Sequence, residues 1–290
     1  MSDAVLPAAT ATPPRPRRRV PAAVAFGFGW IVLMLAVALL ADLISPYAYT
    51  ALDLRNRLSA PVGFGGGWAH PLGTDKLGRD VLSRLLFSIR MSLLIAFGAT
   101  IIGAVFGTTM GFLAAHFRGW VEQAVLALVD FSASLPFLIL ALAVLAFFGN
   151  SLALFVVLLG FHAWERYARI ARGLAISAGA QGYAAAVRQL GARPLRVYGR
   201  HILPNIASTL IISMTLAFPE VILLESGLSF LGLGVQPPET SLGNMVGYGR
   251  EYLTRAPWIL LAPAFAIILT TFAISLVGDW LRDRLDPTLR

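Results

Sequence analysis

Long apolar blocks almost free of charge govern what this chain can fold into. Uncharged runs occupy roughly 21 to 41, 91 to 115, 123 to 148, 151 to 164, 205 to 224 and 257 to 278, with Asp130 inside the third and Glu220 inside the fifth. About 20 apolar residues of helix are needed to cross the hydrocarbon layer of a bilayer. In lipid every backbone polar group must be satisfied within the segment, so such blocks form helices. The expectation is an all-α membrane protein with six transmembrane helices. The chain is 57% hydrophobic and only 13% charged, against about 25% charged residues in a soluble domain, and no soluble core hides that much apolar surface. The fourth run is short and ends in Trp164, Glu165, Arg166, Arg169 and Arg172. Glu165 and Arg169 stand at i, i+4 and can pair, so this helix is expected to continue into water.

Residues 1 to 20 are rich in Ala, Thr and Pro and end in Arg15, Arg17, Arg18 and Arg19; they read as a disordered, basic cytoplasmic tail. A twin-arginine export signal is the competing reading, but the run from Pro21 to Leu40 is longer than a signal core and more spans follow. Residues 21 to 290 then form one transmembrane domain, with an outer segment at 46 to 90 and a cytoplasmic loop at 178 to 204. An even number of crossings puts both termini on one side. With both cytoplasmic, fifteen of the 23 basic residues lie inside and eight outside, in the direction of the positive-inside rule. The net charge of +8 therefore reads as orientation and membrane lipid contact, not nucleic-acid binding. The chain has no Cys, which removes disulfides, thiolate metal sites and a cysteine nucleophile together.

Gly103, Gly107 and Gly111 fall four residues apart in the second run, a spacing that lets another helix backbone approach closely. His70, His116, His162 and His201 are scattered without ligand spacing, so no metal site is expected. A phosphate-binding loop needs Lys after its glycines; the single Lys is Lys76, so no ATPase activity is expected of this chain. Asp130, Glu220 and Glu225 stand in or beside apolar runs, where charge is costly and often functional. An ion-coupled transporter or channel built on them is the rival reading, set against interhelical hydrogen bonding near span ends.

The stretch from Gln181 to Asn205 carries the clearest local signals. Tyr183 to Leu190 favours helix, Gly191 suits the left-handed residue past a helix end, and Pro194 suits the first position of the next helix. Pro204 is expected to break the chain before the fifth span. Leu190, Leu195, Val197, Ile202 and Leu203 are apolar, while Arg188, Arg193, Arg196 and Arg200 can face water, lipid phosphate or a partner. Periodicity alone leaves two readings open, an interfacial helix pair on the headgroups and a docking element.

This stretch resembles the cytoplasmic coupling loop of binding-protein-dependent ABC importer permeases, whose pattern is E-A-A, three residues, Gly, nine residues, then I-x-L-P. Gly191 matches the glycine; Ile202, Leu203 and Pro204 match the closing element with the isoleucine displaced by one; Ala186 matches the first Ala, and Ala185 and Val187 replace the Glu and second Ala. Gly73-Thr74-Asp75-Lys76-Leu77-Gly78-Arg79-Asp80 is similar to the G-T-D-x-x-G-R-D segment of the dipeptide, oligopeptide and nickel branch, in its C-type subunit. The run Glu225 to Gly234 followed by Pro237-Pro238, and the ending Gly278 to Pro287, resemble two further segments of that subunit. Read from its residues, the first of these segments is a satisfied turn before an amphipathic surface helix carrying Val81, Leu82, Leu85 and Leu86. The stretch Leu228 to Gly234 lets irregular backbone re-enter the protein interior near the outer face.

The resemblance implies a type I importer permease with a cytoplasmic coupling helix pair, in a bacterial inner membrane. It also implies a homologous second permease subunit, two ATPase subunits that hold ATP and Mg, and an extracytoplasmic substrate-binding protein. This chain itself would hold no cofactor. ATPase docking would fall to Tyr183, Ala185, Ala186, Gly191, Arg193, Leu195, Arg200, His201, Leu203 and Pro204. The outer motif would be Gly73, Thr74, Asp75, Gly78, Arg79 and Asp80. The cargo would be peptides, with nickel-chelate or glutathione-type import by the same machinery as alternatives.

Overall fold

A computed structural model describes residues 20–179, 187 and 189–285. Helix is the only regular secondary structure among the described residues, with one isolated bridge between Thr74 and Asp80 and no strand. Helix α1 is Ala22–Ile44, α2 is Val81–Phe117, α3 is Gly119–Ser134 and α4 is Phe137–Phe148. They are followed by α5 at Leu152–His162, α6 at Trp164–Gly179, α7 at Pro194–Phe230, α8 at Leu242–Gly249 and α9 at Trp258–Leu285.

Four of these, α1, α2, α7 and α9, are long and apolar enough to cross a membrane alone, and α3 and α4, bent by 90°, meet the same measure only when taken together. The bend falls at Leu135 and Pro136: Pro136 has no N–H to continue α3 and serves as the N-cap of α4. The fourth sequence run is α5, whose 11 residues reach only about 16 Å at 1.5 Å per residue. It continues past Ala163 into α6.

A glycine stripe fixes how that continuation runs. A Cβ on Gly103, Gly107 or Gly111 would meet the carbonyl oxygen of Gly160, Trp164 or Ala168 respectively. Both sets advance by four and increase together, so α5 and α6 follow α2 in parallel as one path. The chain must therefore return to the starting face between them, through α3 and α4. Small residues thus bring the backbones together, as the spacing predicts.

Several boundaries differ from expectation. The second span begins at Val81, ten residues early, so the outer segment ends at Asp80. The charges of Arg84 and Arg90 set the expected start; Arg84 is buried and bonded to Asp75, and Arg90 donates to the Ala38 carbonyl and pairs with Asp42 of α1. The surface helix expected there is the buried start of α2: Val81 is fully buried, Leu86 nearly so. At Pro204 no break occurs. Pro194–Phe230 is continuous because Val197–Ile202 forms a π-helical turn, in which the Leu203 N–H donates to the Tyr198 carbonyl. The wider turn accommodates a proline that removes an α-helical donor. Helix also persists through Leu228–Phe230, and the irregular re-entry lies in 231–241, where Val235, Thr240 and Ser241 are buried.

Candidate functional site

On the face where α2 begins, the segment 73 to 80 is a folded brace. Gly73 and Gly78 take φ of +76° and +74°, which L side chains rarely adopt. Thr74 Oγ1 accepts the Ser59 N–H at 2.8 Å and donates to the Asn56 carbonyl. Asp75 Oδ1 accepts the N–H groups of Leu77 and Arg79 at 2.8 and 3.0 Å; Oδ2 accepts Arg79 Nε at 2.7 Å and Arg84 Nη1 at 2.8 Å. Asp80 caps α2, accepting the Ser83 N–H at 2.7 Å, and lies 3.0 Å from His70 Nδ1.

Residues far along the chain close the brace. Trp258 Nε1 donates to the Thr74 carbonyl at 3.2 Å, and both Arg84 Nη2 and Ser88 Oγ reach Thr240 Oγ1, at 3.3 and 3.0 Å. The cavity beside Asp75 and Arg84 is only about 20 Å³, room for one water and not a solute. All six outer-motif residues come together in this brace. Thr240 and Trp258 were not singled out by sequence, since lone Thr and Trp residues carry no spacing signal.

The opposite face carries the turn around Gly191. Its φ is +77°, and the Ala192 N–H donates to the Val187 carbonyl at 3.3 Å, the six-to-one bond of a Schellman helix end. Arg193 stands at the N-cap position of the next helix, without a side-chain cap, and Pro194 at its first position. Leu190 and Leu195 are each 86% exposed, whereas Val197, Tyr198 and Ile202 are buried against Ala115 of α2 and Ala175 and Ala178 of α6. The apolar residues of this stretch thus divide, one set anchoring the turn and one projecting from it. Arg193, Arg200, Leu203 and Pro204 are exposed, and His201 is half-buried. Tyr183, Ala185 and Ala186 lie outside the described residues.

Three arginines of α6 pair with carboxylates on other helices. Arg166, Arg169 and Arg172 of α6 bind Glu220 of α7 at 3.1 Å, Asp130 of α3 at 2.8 Å, and Glu122 of α3. The expected Glu165–Arg169 pair is not formed, because Asp130 holds the guanidinium and helix-to-helix contact outcompetes a local pair. Glu225 is fully buried, accepting from Ser92 at 3.1 Å and Ser229 at 2.8 Å. Enclosed by hydroxyls, it ties α2 to α7, and Ser92 passes the link on by accepting the Leu242 N–H at 3.0 Å.

Span-length helices, a braced face and an exposed turn on the opposite face define a multi-pass membrane protein of the permease class. The family described as "Binding-protein-dependent transport system inner membrane component" matches residues 107–290. The glutathione transport system permease protein GsiD of Pectobacterium atrosepticum is 35% identical over 92% of this chain and 87% of its own. The di/tripeptide transport system permease protein DppC of Pseudomonas aeruginosa is 37% identical over 91% and 88%, and the oligopeptide transport system permease protein OppC of Mycobacterium tuberculosis is 36% identical over 84% and 83%. An inward-facing structure of the MetNI methionine ABC transporter shares the fold at a TM-score of 0.58 and 20% identity, covering 71% of this chain and 97% of that one. The protein belongs to the binding-protein-dependent transport system inner membrane components.

Proposed function

We propose that this protein is a permease subunit of an ATP-driven importer for short peptides, in the inner membrane. It works with a second, homologous permease subunit, two ATPase subunits that bind ATP and Mg, and a substrate-binding protein outside. The relatives' peptide systems support the cargo class, and glutathione, itself a peptide, falls within it. Both termini and the Gly191 turn then face the cytoplasm, and the braced segment faces outward.

The observation that carries this reading is the turn: a left-handed Gly191 presents Leu190, Leu195 and Arg193 on a projection that runs without a break into span α7. Bare leucines at such exposure call for a partner. A continuous helix also moves with whatever binds its end, so closure of an ATPase dimer is transmitted to α7. The path alternates as nucleotide and substrate favour different global states. Affinity purification of tagged protein from native membranes is the test. Co-elution of two ATPase subunits and a second permease supports the reading, and recovery of this chain alone in active form contradicts it.

A further inference from the structure

Glu220 and Arg166 are 42% and 46% exposed on the bundle, and His162 Nε2 lies 3.4 Å from Glu220 Oε1. Glu220 is ten residues from the Phe230 end of α7 and further from the other, so it lies about 15 Å from the nearer end at 1.5 Å per residue. With the Phe230 end of α7 taken as the outer edge of the hydrocarbon layer, that depth is the middle of a layer about 30 Å thick. Charged groups so placed do not face lipid; they face a water-filled path or a protein partner.

Two neighbouring features favour water. Thr209 and Ser213 precede Glu220 by eleven and seven residues, so they share its side of α7, and both are at least partly exposed. His162 also stands, with Glu165, at the wall of a cavity of about 370 Å³ lined by the end of α3, by α4 and α5, and by the start of α6. Glu165 Oε2 is buried there and has no hydrogen-bond partner among the described residues. The exposed surface of α9 looks different: Phe265, Ile268 and Phe272 form an apolar stripe there.

We propose that Glu220, Arg166 and His162 line the solute path at mid-membrane, Glu220 receiving the ammonium end and Arg166 the carboxylate end of a zwitterionic peptide. This deepens the importer reading and rests on it for the solute class. A zwitterion entering a low-dielectric passage loses hydration at both ends. An acid and a base already paired with each other can exchange partners with it: two ion pairs replace one and no charge is left alone. A neutral solute gains nothing from the exchange.

The chain has no native Cys, which makes the test direct. Glu220→Cys and, as the lipid-facing control, Ile268→Cys are placed in the complete complex in proteoliposomes and exposed to a charged thiol reagent that does not enter lipid. Modification of this chain is then read by mass. Labelling at position 220 and not at 268 is the expected result, since a water-filled path admits the reagent and lipid does not. Because a cysteine could disturb packing, Glu220→Gln, close in shape, is measured in parallel; alanyl-alanine uptake should fall by about tenfold or more, the scale of one charged hydrogen bond. No labelling at 220, or unchanged uptake by Glu220→Gln, overturns the inference while leaving the importer reading intact. Failure of the unmodified complex to take up alanyl-alanine instead overturns the peptide importer reading on which the solute class rests.

Discussion

Arg84 Nη1 lies 2.8 Å from Asp75 Oδ2, with 5% and 7% of the two side chains exposed. A residue at the start of span α2 is thereby locked to the loop before it, and through Thr240 to the segment after α7. Removing one partner of a buried pair strands the other, at a cost of about 3 to 5 kcal/mol. Asp75→Ala should therefore lower the unfolding midpoint of detergent-solubilised protein sharply. A loss of about 0 to 1 kcal/mol, the worth of an exposed pair, would show that the brace is not structural.

Gly107 sets a second test, of helix packing. Any side chain there is driven into the Trp164 carbonyl, while Gly29 on α1 has open space where a Cβ would go. Gly107→Leu should disrupt the α2–α6 contact at a cost of at least the roughly 1 to 3 kcal/mol of an overpacked core, seen as reduced accumulation and a lower unfolding midpoint. Gly29→Leu should be tolerated. Equal behaviour of the two variants would contradict the parallel register of α2 with α5 and α6.

Much of this was legible in the sequence. Gly103, Gly107 and Gly111 announced a close helix contact, and Gly191 and Pro194 announced the turn, because those residue types at those spacings have few other uses. What escaped was decided by partners distant in sequence. Arg84 and Arg90 hid the true start of α2, since only Asp75 and, on α1, Asp42 show how those charges are held. Pro204 reads as a break unless a π turn precedes it, and hydrophobic pattern does not distinguish a π turn from an α turn. Glu165 and Arg169 looked paired because local spacing does not reveal Asp130 on another helix.

The Gly191 turn separates docking from folding. A Cβ at Gly191 meets nothing within 4 Å, so Gly191→Trp costs the chain only the strain of a left-handed residue, about 1 to 2 kcal/mol. The variant should insert and accumulate normally yet lose ATPase association or substrate-stimulated hydrolysis. Leu195→Asp, at a site 86% exposed, should do the same with an unchanged unfolding midpoint. Normal transport by both variants would make the turn a passive interfacial element.

Peptide uptake into proteoliposomes tests the whole account most directly. The complete complex, with its binding protein outside and ATP at the face carrying Gly191, should accumulate alanyl-alanine. This chain reconstituted alone should neither hydrolyse ATP nor accumulate the peptide, with or without an ion gradient. Accumulation by the isolated chain, driven by a proton or sodium gradient and indifferent to ATP, would contradict the importer assignment.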